Sequence, residues 1–369
     1  MIVQPVICKE AQVLIELIRL ALGAGLPDKD KQMPLRFDWD EVIRLSYNHK
    51  VSALAVDGLQ KLELDYKVIN TRQSKDTEIL MATWFNDLVR TEQGYEYYLE
   101  INNTLCQIFQ SEGLKPIILK GLGLNLNYPI PSHRGVGDID IFLIDTDGKC
   151  AAKKANEIVK KRLNTPIRHE DSLHHSVFDF KGIRVENHYV LVSHSFSSDE
   201  DEYLRRMLER ILINESYKYD EKSSIYLPSV NFNAIALIQH MYAHYYNDKM
   251  NLRQICDYLM LIKNHYLDVD WSLVSSILLN SGLNDFARGI NSMLLKYLSL
   301  CDLCTNDFFL DEEYGNHIIA DTFKSSNKYG IANIKHYYND RWKIKHLYNE
   351  NWLVLTLKSV MRNICNSKN

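Results

Sequence analysis

The sequence predicts an α+β protein, with a small mixed β-sheet core flanked by N-terminal and C-terminal α-helical regions. Two observations predict it. Apolar residues recur at three- and four-residue spacing from about residue 8 to 112 and again after about residue 200, while the segment between them alternates with period two. A chain of 369 residues, 46% hydrophobic and 24% charged, has the composition of a folded protein with about two to three domains. The expected divisions are 1–112, 113–200 and 201–369.

The N-terminal region begins with the amphipathic stripe "AQVLIELIRLAL". It lacks a basic leader segment and charge interrupts it early, so it is expected to be a helix and not a signal peptide. No stretch approaches the roughly 18 apolar residues of a membrane span, and a cytoplasmic location is expected. "FDWDEVIRLSYNHKVSALAVDGLQKL" carries a similar stripe, with Asp38 as N-cap and acids in the first turn. A longer helical pattern runs from about Asp76 to Ser111 and stops at Gly113 and Pro116.

In the central segment "KPIILKG" reads as a short strand running into glycine, and "VGDIDIFLI" as an alternating strand. "ANEIVKKRL" is an amphipathic helix. "SVFDF" and "IRVENHYVLV" are two strands joined by the tight turn Lys181–Gly182. This order predicts a sheet with helices on one side. The helical pattern then resumes through "NAIALIQHMYAHYY", "LRQICDYLMLIKNHY" and a tyrosine-rich tail.

Asp138 and Asp140 stand in an apolar run where unpaired charge is costly. Strand parity puts them on one face and Ile139, Ile141 and Leu143 on the other. Two carboxylates this close repel unless a cation lies between them, and Mg²⁺ suits carboxylate and phosphate oxygens, with Mn²⁺ as a second choice. Gly135 and Gly137 are expected to turn the backbone and leave room for a ligand. Glu186 shares a face with Arg184 and His188, and supplies a third acid if its strand lies beside that of the aspartates. Such a trio can activate a hydroxyl and stabilise a leaving pyrophosphate. Lys120 and Gly121, where a strand meets a helix start, suit phosphate, with Arg134 as a second contact.

These residues, "LKG…YP…HRGVGDIDIFL…VENHY", resemble the nucleotidyltransferase superfamily of the DNA polymerase β-like fold. Within it they are most similar to the uncharacterised nucleotidyltransferases. The resemblance is specific over about residues 116–190, and the flanking segments "DWDEVIRLSYNHKVSALAVDGL" and "LRQICDYLMLI" share it more weakly. It implies a nucleoside triphosphate substrate, metal-binding carboxylates Asp138 and Asp140, and Glu186 as the third acid. It also implies Lys120–Gly121 as the nucleotide turn and Arg134 as an active-site arginine. The turn departs from the superfamily's usual Gly-Gly or Gly-Ser, and a longer insert with "NYPIPS" follows it. A silent nucleotide-binding module and a D-x-D glycosyltransferase are the alternatives. The glycosyltransferase leaves Glu186 and the Lys-Gly turn unexplained.

Other residues carry plainer expectations. His188 is read as a supporting or structural histidine and not a ligand, His240 and His244 as helix-face histidines packed against the sheet region, and the tandem His174–His175, at a strand start, as a minor candidate for facing the cleft. Arg253 and Asp257, four apart, are expected to form a helical ion pair. Seven scattered cysteines argue against a disulfide framework, and Cys301–Cys304 is read as a pair of core thiols. With a net charge of −4, the acceptor is expected to be a small molecule or a protein, not long nucleic acid. Lys335, Arg341, Lys343 and Lys345 of the tail form the one basic face that could reverse this.

Overall fold

The computed structural model describes residues 7–24, 37–62, 75–172, 174–192, 198–247, 250–299 and 310–324. Cys301–Cys304 and the basic tail lie outside them. Among the described residues no helix is long and apolar enough to cross a membrane.

The N-terminal helices are α1 (Lys9–Ala21), α2 (Trp39–Asn48), α3 (Ser52–Lys61) and the long α4 (Lys75–Ser111). Asp38 caps α2 as expected, accepting from the amide of Asp40 at 3.0 Å. The stripe from Asp38 to Lys61 is not one helix, because Lys50 takes a left-handed φ of 57°. The break has a tertiary cause. His49 is buried, and its ring and carbonyl accept from the amides of Leu252 and Arg253 at 3.4 and 3.3 Å. α4 stops where Gly113 adopts a φ of 74°, two residues before β1.

The sheet has six strands: β1 (Lys115–Ile118), β2 (Ile139–Ile144), β3 (His175–Phe180), β4 (Ile183–His188), β5 (Tyr217–Lys218) and β6 (Tyr226–Leu227). The spatial order is β3-β4-β2-β1-β6-β5, with β4 parallel to β2, β6 parallel to β1, and the other neighbours antiparallel. Lys181 and Gly182, with φ of 49° and 82°, make the hairpin turn between β3 and β4. β5 and β6 fall beyond residue 200, where the sequence reads as helical. At two residues each they are too short to show a period.

Helices cover both faces of the sheet, not one as expected. On one face Ile118, Ile139, Ile141, Leu143 and Val185 pack with Tyr98, Ile101 and Phe109 of α4 and with Ala155 and Ile158 of α6 (Ala152–Ile158). On the other, Ile117, Phe142 and Ile144 join a larger core with α1–α3 and the C-terminal helices. Those helices are α7 (Ser198–Glu215), α8 (Val230–Asn247), α9 (Leu252–His265), α10 (Trp271–Asn280), α11 (Asn284–Leu298) and α12 (Glu312–Thr322). β2 is therefore buried along its whole length. A single helical turn, α5 (Leu122–Asn125), follows β1 and Gly121.

Candidate active site

β2 and β4 run parallel with Asp140 directly paired to Glu186. Their side chains leave the same face of adjacent strands, and His188 lies two residues further along that face. Ligand atoms of Asp140, Glu186 and His188 lie within 4.8 Å of one another. Two carboxylates and an imidazole fit a divalent cation that accepts oxygen and nitrogen ligands.

Asp140 is 7% exposed yet strongly acidic. Burial opposes its charge, but Lys120 and then the His188 hydrogen bond outweigh burial and hold the carboxyl far below its usual range. Lys120 Nζ and His188 Nε2 reach the same oxygen of Asp140, at 3.2 and 2.9 Å. Glu186 pairs with Arg184 at 2.8 Å and lies 3.8 Å from His175 and 4.0 Å from His188. The structure thus gives His188 a place among the acids that the sequence reading withheld.

Asp138 stands apart from that trio. It precedes β2, its side chain is exposed, and its carbonyl accepts the Tyr98 hydroxyl at 2.8 Å. Tyr98 also explains Gly121. A Cβ at Gly121 would sit 2.7 Å from the Tyr98 hydroxyl, and the glycine has a φ of 68°. Tyr98 thus wedges the Lys120–Gly121 turn against the loop that carries Asp138. Gly135 and Gly137 have no left-handed φ, and a Cβ on either would meet nothing within 4 Å. They leave open space and do not turn the chain.

Arg134 does not face the cleft. It is 5% exposed, and its Nε and Nη2 each donate to Asp257 at 2.7 Å while Nη1 donates to Asn125 at 3.0 Å. A buried fork of this kind holds its partner bidentately and has no edge left for phosphate. The expected Arg253–Asp257 pair is replaced by this one, with Tyr128 also donating to Asp257 at 2.7 Å. Arg253 donates instead to the Gly135 carbonyl at 3.1 Å. Beside Arg134, His133 bridges Asp57 of α3 at 2.8 Å and Glu92 of α4 at 3.0 Å. Three consecutive residues ahead of Asp138 are therefore gripped by both helical flanks. Sequence offered a signal for this clamp: Asp57 and Asp257 are acids set within apolar helical stripes.

A cavity of about 320 Å³ opens beside the trio, between the strand ends and α8. Lys120, Glu186 and His188 meet it from the sheet, and Phe232, Ala236 and His240 from the helix. His174, His175 and His244 also line it, so the tandem pair does face the cleft. Burial pushes the pKa of His175 down and that of His240 well below its ordinary value, Lys120 adding to the latter. These rings are neutral near pH 7 and offer hydrogen bonds in place of charge.

No curated protein matches the chain. A solved structure, that of an antigenic nucleotidyltransferase-like protein from Paracoccidioides brasiliensis, is 15% identical, covering 55% of this chain and 94% of that one with a TM-score of 0.33. Nothing below is built on that likeness. The model of the family described as "Uncharacterised nucleotidyltransferase" matches residues 36–298, which takes in the helices from α2 to α11 and the whole sheet. The chain belongs to that nucleotidyltransferase family.

Proposed function

We propose that the protein moves a nucleoside monophosphate from a nucleoside triphosphate to an acceptor hydroxyl and releases pyrophosphate. The observation that carries this is the pairing of Asp140 with Glu186 across adjacent parallel strands, with His188 beside them. Asp140 and Glu186, joined by Asp138, would hold Mg²⁺ or Mn²⁺, which would offset triphosphate charge and acidify the acceptor hydroxyl.

The chain's own groups do the rest. Lys120 and His188 favour the ionised form of Asp140, which keeps a ligand carboxylate ready. Lys120 shares that carboxylate and lies at the cavity, where its charge can meet a phosphate oxygen. Gly121 keeps side-chain bulk off the turn that phosphate approaches. Glu186 lines the cavity and can take the acceptor's proton. Arg134 acts as a positioning residue for the Asp138 loop and not as a phosphate contact. The acceptor enters the cavity beside Glu186, where a largely aliphatic and imidazole lining suits a small molecule or protein side chain better than a nucleic-acid strand.

The test follows transfer from α-phosphate-labelled triphosphates into small-molecule and protein fractions of a cell extract, with Mg²⁺, with Mn²⁺ and with chelator. Wild type should label an acceptor only with metal. Asp140→Asn and Glu186→Gln should each lose at least about a hundredfold, the scale of losing a charge-stabilising group, with Glu186→Gln little changed in melting temperature and Asp140→Asn lowered by loss of its buried pairing with Lys120 and His188 yet still unfolding cooperatively. Full transfer by Asp140→Asn would refute the mechanism.

A further inference from the structure

We propose that this site holds its metal through nitrogen as well as oxygen, with His188 as a ligand and His175 facing it, and so selects a transition-metal dication such as Mn²⁺ over Mg²⁺. The proposal rests on the transferase reading for the metal's place beside Asp140 and Glu186. It adds the ligand type that decides which metal enters.

The donors converge from three neighbouring strands. Asp140 of β2 pairs with Glu186 of β4, and His175 of β3 pairs with His188 of β4. Residues paired across a ladder share a face, as do residues two apart along a strand, so all four side chains leave the sheet on one side. His175, Glu186 and His188 line the cavity there. Arg184 pairs with Oε1 of Glu186 at 2.8 Å. The other oxygen, Oε2, lies 3.8 Å from Nε2 of His175 and 4.0 Å from Nε2 of His188. One carboxylate oxygen is thus set beside two imidazoles whose ring centroids are 5.4 Å apart.

Donors bound about 2.0–2.2 Å from one ion stand roughly 3–4 Å from each other. Ligand atoms of Asp140, Glu186 and His188 approach that spacing, lying within 4.8 Å of one another, and among the described residues no other such trio does. Nε2 of His188 already points at the ligand carboxylate, 2.9 Å from Oδ1 of Asp140. Asp138, the acid that could have replaced it, is exposed and outside the trio. The imidazole then decides the metal. Mg²⁺ takes oxygen ligands in near-ideal octahedral geometry and gives up its waters reluctantly. Transition-metal dications accept imidazole, so a nitrogen in the third place raises their affinity and not that of Mg²⁺.

Electron paramagnetic resonance of Mn²⁺ with the full chain, without nucleotide, is the test. Loss of the free-ion signal gives the affinity, and the pulsed experiment reads nitrogen bonded to the ion. Wild type should bind Mn²⁺ with directly coordinated nitrogen, and protein grown on ¹⁵N-imidazole histidine should change that coupling to the ¹⁵N pattern. Mg²⁺ in about a hundredfold excess should displace less than half of the Mn²⁺. His188→Gln should weaken Mn²⁺ about tenfold or more and Mg²⁺ by less than about twofold, since only one of them loses a bond. His175→Gln should act in the same direction with a smaller loss. Bound Mn²⁺ without histidine coupling, equal losses of both metals in His188→Gln, or no Mn²⁺ binding overturns the proposal. The isotope measurement uses the native sequence and decides the matter even if His188→Gln fails to fold. Nitrogen-bound Mn²⁺ in a protein that transfers nothing would refute the transferase and leave the metal choice standing. Transfer with Mn²⁺ held by oxygen alone would do the reverse.

Discussion

His133 is 6% exposed between two carboxylates, Asp57 and Glu92, and its charge state sets how firmly the loop is held. Burial disfavours the imidazolium, but its hydrogen bonds to Glu92 and Asp57 outweigh burial and raise the pKa. A histidine with a raised folded pKa gives stability that is complete below its unfolded value, near 6.5, and is lost as pH rises through the folded value. Burial also raises Asp57, which makes stability fall with rising pH at the acid end, in the same direction. His175 and His240 are lowered and act with the opposite sign. The comparison must therefore be between wild type and His133→Asn. Urea midpoints measured from pH 6 to 8 should fall more steeply in the wild type. Parallel curves would mean that His133 is neutral and merely packed.

At the scale of elements, two contacts lock the loop between Gly121 and Asp138. Gly121→Ala adds a Cβ 2.7 Å from the Tyr98 hydroxyl at a left-handed φ, and should cost roughly 1–3 kcal/mol. Tyr98→Phe in the same chain removes the clash and leaves the backbone strain, so thermal melts should show partial recovery. No recovery would place the cost in the backbone alone. The Arg134–Asp257 pair joins the loop to α9, with both side chains 5% exposed. Asp257→Ala strands a buried guanidinium and should cost about 3–5 kcal/mol. The double variant Arg134→Met, Asp257→Leu should cost clearly less, since no charge is left unpaired. If denaturation finds the double variant as unstable as the single, the pair is not the source of the loss.

For the whole molecule, the helical flanks share the sheet's core. Ile117, Phe142 and Ile144 of the sheet share one apolar cluster with Leu14 and Val56 of the N-terminal helices and Ile238 and Ile255 of the C-terminal ones. An excised 113–200 segment would expose that face and lose β5 and β6. We expect it to show no cooperative urea transition, while the full chain unfolds with the sheet and the flanks together. A cooperative transition in the isolated segment would show the expected three-part division to be one of independent domains.

The alternation in "VGDIDIFLI" and "IRVENHYVLV", the Lys181–Gly182 turn and the glycine and proline after α4 determined the strands, their facing residues and the link between them. These signals are local, since side-chain parity and turn conformation depend on a few consecutive residues. The match of Asp140 to Glu186 follows from parity only once β2 and β4 are neighbours, and that adjacency is a matter of topology. Tertiary structure alone decided which charges meet. Arg253 sits one helical turn from Asp257, yet Asp257 goes to Arg134, some 120 residues earlier in the chain. A rigid buried fork from Arg134 takes both oxygens at once, and a neighbour on the same helix cannot match that geometry. Likewise the break at Lys50 and the histidine lining of the cavity arise where separate elements pack. Periodicity shows which face of an element is apolar, but the partner that covers the face comes from distant sequence.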